Sequence, residues 1–213
     1  MIKLRSAFAD RRTRRTSMHF IDDLVNFIPK NDQEQNDKEA MLTEINKNPE
    51  GILFRESLLM HMTASSIIVN REKTKTLMAY HNIYKSWAWT GGHADGESDL
   101  MRLAMREAQE ETGIKTLTPI VSAPVSCEIL HVLPHIKRGK YVGLHLHFNL
   151  TYAFFGDESE PLCVKEDENA RVGWLPIDKL EQYVSEPFMI PIYRKILDRI
   201  LQSQRFTIFT SLK

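Results

Sequence analysis

The chain has 213 residues, with 28 Lys plus Arg against 28 Asp plus Glu, so no global field draws it toward nucleic acid or an anionic membrane surface. A 42% hydrophobic and 26% charged composition is that of a globular protein, and no apolar run approaches the roughly 18 residues of a membrane helix. The two cysteines, Cys127 and Cys163, form no CxxC pair, and no secretory hydrophobic segment opens the sequence, so a reducing, cytoplasmic setting is expected.

Residues 1–16 carry Lys3, Arg5, Arg11, Arg12, Arg14 and Arg15 against Asp10 alone, and read as a solvated or packed leader. In 18–29, Phe20, Leu24, Val25 and Ile28 form a helical stripe that Pro29 ends. That stripe predicts packing on the rest of the chain or on a second subunit, which leaves a homodimer open. A second helix is expected over about 33–47, before the turn Asn48-Pro49-Glu50-Gly51. Residues 1–57 thus read as a helical N-terminal extension. From His61 the pattern becomes β-prone, with strands expected at 63–70, 76–82 and 84–90, the first two joined as a hairpin. After a glycine-rich turn and a helix come a second strand pair, 127–136 and 141–154, around the basic turn Lys137-Arg138-Gly139-Lys140. A strand at 171–177 and helices at about 178–185 and 188–203 complete an α+β chain, expected as an α/β/α sandwich with a mixed sheet.

The helix after the turn gives the chemical signal. In GGHADGESDLMRLAMREAQEETGI (91–114), Leu100, Leu103, Ala104 and Ala108 make an apolar stripe, while Glu107, Glu110 and Glu111 gather on another face. Like charges at these spacings repel, so a surface helix gains nothing from them. A hard divalent cation does use such a cage, because Mg²⁺ prefers carboxylate and water oxygens shared with substrate phosphates. Gly92 lets backbone approach a metal or phosphate, and Arg106 is placed to hold a carboxylate. Gly113 reads as the helix C-cap and Ser98 as a candidate N-cap. The plain alternative is a solvated helix with one Arg106–Glu110 pair.

The stretch resembles the Nudix box, G-x5-E-x7-R-E-U-x-E-E-x-G-U with U a bulky aliphatic residue. Gly92, Arg106, Glu107, Ala108, Glu110, Glu111, Gly113 and Ile114 fill their places, Ala108 being smaller than usual. The first glutamate of the box falls on Ser98, with Glu97 beside it, so either Glu97 supplies that carboxylate through a local shift or the site lacks it. The resemblance covers about 60–203 and is nearest to MutT-like proteins with the strings TGGHADG, KRGKYV and HLHxNxTY. It implies a Nudix domain at 58–204, a tail at 205–213, and a Mg²⁺- or Mn²⁺-dependent diphosphatase. Its substrate would be a nucleoside diphosphate linked to another moiety; from charge and hydropathy, no membrane partner is expected and nucleic acid is a disfavoured one. It also implies that Glu168, in the string DENxxVxW, joins the box acids as ligand or base; Glu166 and Asp167 stand beside it.

In GLHLHFNLTY, strand alternation puts His145, His147, Asn149 and Thr151 on one face. That face is expected to line a cleft; an HxH pair also suits Zn²⁺ or Fe²⁺, but the neighbouring sequence offers no clear third ligand. His131, His135, Lys137, Arg138 and Lys140 would complement a diphosphate, or decorate an exposed hairpin tip. Trp87 and Trp89 read as core, with stacking on a base as the other option. Two rival functions are a nucleotide-binding regulator without turnover, which the intact REAQEE opposes, and an isomerase of the isopentenyl-diphosphate type. The latter needs a cysteine in a motif that neither Cys127 nor Cys163 occupies.

Overall fold

The computed structural model describes residues 19–137 and 139–202. The basic leader, the tail at 205–213 and Arg138 lie outside the described residues.

Helices α1 (His19–Asn26) and α2 (Asp32–Lys47) precede the strands. The face of α1 that packs is Phe20 and Leu24, continued by Phe27 beyond its end, all buried. Val25 and Ile28, expected in that stripe, are exposed at 46% and 79%. The helix stops at Asn26, so Phe27 turns inward in their place. Asn31 caps α2, its side chain accepting from the Glu34 amide at 2.9 Å.

The strands are β1 (Met60–Val69), β2 (Lys75–His81), β3 (Ser86–Ala88) and β4 (Thr90–His93); after helix α3 (Leu100–Thr112) come β5 (Leu117–Pro119), β6 (Ser126–Val132), β7 (His135–Lys137), β8 (Lys140–Val142), β9 (His145–Gly156) and β10 (Asn169–Pro176). Helix α4 (Met189–Gln202) follows. Eight strands form one mixed sheet with spine β10-β2-β1-β9-β5; β3 pairs with β2, β4 with β1 and β6 with β9. Among the described residues only β1 and β9 run parallel, in the register His61↔His147, Thr63↔Asn149, Ser65↔Thr151. Strands β7 and β8 pair with each other as a separate hairpin. The expected strands at 84–90, 127–136 and 141–154 are each two. Pro134, which has no amide to donate, and Gly143 stand in the gaps of the last two. The expected helix at 178–185 is a 3-10 segment, Ile177–Gln182, with non-helical dihedrals at Lys179.

Period-2 alternation along β1 and β9 sorts the core into two layers. Met62, Ala64, Ile68, Phe148, Leu150 and Tyr152 pack with α1, α2 and α3, while Ile67, Val69 and Ala153 pack with α4 and the 3-10 segment. The expected α/β/α sandwich is thus present, with the extension's helices in one layer. Trp87 and Trp89 pack against the α4 layer.

A buried ionic cluster ties α2 to that second layer. The Glu34 carboxylate is fully buried and accepts from Arg199 Nη2 at 2.8 and 3.0 Å, from Ser126 Oγ at 3.0 Å and from the Lys30 amide at 3.0 Å. Lys195 Nζ stands 3.2 Å from Glu34 and 2.8 Å from the buried Glu128. Two cations thus match two acids. Burial pushes the Glu128 carboxyl up; Glu34 is buried too, but its hydrogen bond from Arg199 and the Lys30 amide leave it below the ordinary carboxylate range.

Candidate active site

Strand β1 pairs with β2 only near its C-terminal end, at Ile68↔Leu77 and Val69↔Thr76, and with β4 at Thr63↔His93 through Ser66↔Thr90. This arrangement lays the backbone of Gly91 and Gly92 flat on β1, under helix α3. A Cβ at Gly91 would stand 2.5 Å from the Ala64 carbonyl oxygen, and one at Gly92 2.6 Å from Glu107 Cδ. Glycine is therefore required if the Glu107 carboxylate is to rest on this backbone.

Helix α3 is held at both ends. Its N-cap is Asp99, whose carboxylate accepts from the Arg102 amide at 3.0 Å, and not Ser98 as the sequence suggested. Ser98 instead offers its carbonyl to the Phe20 amide at 3.3 Å. Gly113 closes the helix in the left-handed region, φ +74°, with its amide on the Gln109 carbonyl. Leu100, Leu103, Ala104 and Ala108 are fully buried and Glu111 is buried with them: Glu107 and Glu111, at i+3 from Ala104 and Ala108, lie on the packed side of α3 and not on another face as expected, with Glu110 at its exposed edge.

Those acids take different positions. Glu111 is almost buried, one oxygen accepting from the Gly91 amide at 2.9 Å and the other from Asn169 Nδ2 at 2.9 Å. Burial drives its carboxyl up to about 7, against the pull of these two donors. Glu107 is raised too, by burial and then by the neighbouring Glu110 charge. Arg106 spans three acids: Nη2 is 3.6 Å from Glu107, Nε 3.9 Å from Glu110 and Nη1 3.9 Å from Glu97. Glu97, adjacent to the missing box position, therefore comes to the same guanidinium, and it also accepts from the Asp99 amide at 3.1 Å. From the segment before β10, Lys165 reaches Glu110 at 3.9 Å and Glu168 at 3.1 Å. Glu168 is fixed from behind, its carbonyl accepting from the Asn82 amide at 2.9 Å. It is near enough to contribute to the raised values of Glu107 and Glu111. Opposite them Arg55 forms a two-bonded pair with Asp95, Nε to Oδ1 at 2.8 Å, and feels the charges of Glu107 and Glu168.

The predicted group Gly92, Arg106, Glu107, Glu110, Glu111 and Glu168 is thus brought together. Its donors are all oxygens, and a Cβ would fill the cradle at Gly92, so the residues fit a hard cation. Asn169 and Arg55 escaped sequence reasoning. Asn169 directly follows Glu168 in a strand start, and only the fold shows which acid it meets.

The second predicted group divides. His145 and His147 share a face and lie 3.2 Å apart, Nε2 to Nε2. Asn149 is buried below them, with Oδ1 accepting from Thr63 and Ser65, each at 2.9 Å, and Nδ2 donating to Thr151 at 3.1 Å. The sequence offered no further ligand for the HxH pair; the structure corrects this, since His61 and His93 converge on it. The parallel register sets His61 beside His147, and the β1–β4 register brings the end of β4 to the same place. Lys137 and Lys140 pair across the separate β7–β8 hairpin, and Lys140 is exposed. His131 lies against Phe188, their tilted rings 4.8 Å apart between centroids. Cys127 is buried, and burial pushes its thiol up to about 12, a poor proton donor for alkene isomerisation.

Residues 60–199 match the NUDIX domain, and the chain belongs to that family, among the Nudix hydrolases. It is 35% identical over 117 residues to an RNA pyrophosphohydrolase of Agrobacterium fabrum, a match spanning 50% of this chain and 66% of that protein. Among solved structures it is similar to a NUDIX-family hydrolase from Clostridium perfringens (20% identity, 65% of this chain and 96% of that one, TM-score 0.47). A C. elegans Ap4A hydrolase in a binary complex is similar at 18% identity, over 70% of this chain and 97% of that one, with TM-score 0.44.

Proposed function

We propose that this protein hydrolyses a phosphoanhydride bond in a nucleoside diphosphate linked to another moiety, with Mg²⁺ or Mn²⁺ as cofactor, in the cytoplasm. The observation that carries this reading is the meeting of Glu107, Glu110, Glu111 and Glu168, from two distant segments, over the bare backbone of Gly92. Nudix hydrolases generally use divalent metal ions, and here Gly92, Glu107, Glu110 and Glu111 would hold one. Bound there, the cation supplies an acidified water and offsets the charge of the bridging phosphates.

The chain's own residues set up the rest. Arg106 holds Glu107 and Glu110 in place between its nitrogens. Asn169 and the Gly91 amide orient Glu111. Glu168 comes from outside the helix, with Lys165 holding its carboxylate, and joins the cage as a further ligand or as the base for the attacking water. The hairpin cations Lys137, Arg138 and Lys140 remain the proposed substrate side, suiting a diphosphate; His145, His147 and Asn149, also expected there, are turned toward one another and toward β1.

The test is product release from a panel of nucleotide sugars, dinucleoside polyphosphates, oxidised nucleotides, coenzyme A and NADH with each metal ion. The name of the Agrobacterium relative adds an RNA with a phosphoanhydride at its end. Turnover of one small-molecule class, abolished by chelation, is expected. Metal-independent turnover, or none across the panel with either ion, refutes the proposal.

A further inference from the structure

Four histidines meet beside the acid cage: His61 from β1, His93 from the end of β4, and His145 and His147 from β9. Each offers a ring nitrogen, and all four nitrogens lie within 4.8 Å of one another. Five of the six ring pairs sit at similar spacing. Ring centroids are separated by 5.0 Å for His61–His93 and His61–His145, 5.2 Å for His61–His147, 4.9 Å for His93–His147 and 5.1 Å for His145–His147.

Hydrogen bonding fixes which nitrogens face inward. His61 Nδ1 is 3.1 Å from the Ser57 carbonyl and His145 Nδ1 is 2.9 Å from the Gly143 carbonyl. A carbonyl only accepts, so in each neutral ring Nδ1 carries the proton and Nε2 presents a lone pair. His61 Nε2 is buried and has no hydrogen-bond partner. His145 Nε2 faces His147 Nε2 at 3.2 Å. Zinc–nitrogen bonds of about 2.0–2.1 Å at tetrahedral angles set two ligand nitrogens about 3.3 Å apart, so this pair already has the required spacing. A backbone carbonyl on the far nitrogen is also the usual way a metal-bound imidazole is oriented.

The geometry points to a second metal site, a four-histidine centre for a borderline transition cation of the Zn²⁺ class, separate from the carboxylate cage. Imidazole nitrogens suit such ions and not Mg²⁺. Four protein ligands close the coordination sphere, which is the form of a structural site and not of one that binds water for catalysis. A cation there fastens the end of β4 to β1 and β9, one residue from Gly92, and so holds the floor on which Glu107 rests.

The experiment uses full-length protein without a polyhistidine tag, stripped of metal, reloaded with Zn²⁺ and dialysed against excess Mg²⁺. Elemental analysis should find one retained zinc per chain, and its X-ray absorption edge four nitrogens at about 2.0 Å. His61→Ala and His145→Ala should each weaken Zn²⁺ binding by at least about a hundredfold. A Glu107→Gln/Glu110→Gln double variant should keep the zinc. Should a histidine variant fail to fold, the absorption spectrum of the wild-type protein decides alone. An oxygen-rich shell, loss of zinc in the glutamate variant, or no retained zinc overturns the assignment. None of these readouts depends on hydrolysis, so the diphosphatase reading stands or falls separately.

Discussion

Glu34→Gln should strip the N-terminal helices of their deepest tie to the domain. The substitution keeps the size of the side chain and its acceptor oxygen but removes the charge that Arg199 and Lys195 share, at 2.8 and 3.2 Å. Glu34 is fully buried, and the side chains of Arg199 and Lys195 are only 13% and 16% exposed, so water screens the change poorly. The cluster goes from two cations on two acids to two on one, with Glu128 already held above its ordinary protonation range by burial. Removing one partner of a buried pair costs about 3–5 kcal/mol. For a chain of this size that is a fall in Tm of roughly 6–20 °C. Reversible urea unfolding of wild type, Glu34→Gln, Arg199→Met and the double variant measures it. The double variant should recover part of the loss, because it leaves no net charge uncompensated. A Glu34→Gln protein within about 0.5 kcal/mol of wild type would refute the tie, and with it the view that the extension is structural.

Three further outcomes are expected. Among Glu166→Gln, Asp167→Asn and Glu168→Gln, only the last should lose kcat strongly, about tenfold or more by steady-state assay; equal mild effects would mean a diffuse field of acids. Asn169→Ala removes a donor that favours the ionised form of Glu111, so its pKa should rise and the acidic limb of the kcat–pH profile should move upward; an unmoved limb would leave Asn169 with packing alone. In chelator-treated protein, His147 stays neutral when folded, its pKa lowered from 6.5 to about 2, while the unfolded chain gains a proton as pH falls below 6.5. Acid therefore favours unfolding, and stability should drop by roughly 2 kcal/mol between pH 6.5 and about pH 5, a slope that His147→Asn should flatten in thermal melts.

Local patterns carried much of this fold in the sequence, and long-range registers carried what was missed. The α3 stripe and its acids follow from 3.6-residue spacing, and the shared face of His145 and His147 follows from strand alternation. Nothing local announces that β1 runs parallel to β9, which is what sets His61 beside His147, or that β4 folds back on β1 to deliver His93. Glu34 reads as an ordinary first-turn acid of a polar helix, since only the docking of α4 covers it. Asp99 took the cap from Ser98 because both residue types suit that position and the helix start differs by one residue. The histidine face, expected from alternation to line a cleft, is covered unevenly: the structure buries His61 and His145 and leaves His93 and His147 partly covered.

The carboxylate cage itself is tested most directly by Glu110→Gln, assayed on the best substrate of the panel across a Mg²⁺ titration. Glu110 is half exposed and, among the described residues, is held by Arg106 and Lys165, each at 3.9 Å, so its replacement should leave the fold and its melting temperature intact. With the charge gone, kcat should fall at least about a hundredfold, the size of one lost electrostatic contribution, and higher Mg²⁺ should be needed for half-maximal rate. Near-normal turnover at the wild-type Mg²⁺ requirement would contradict a metal-holding cage.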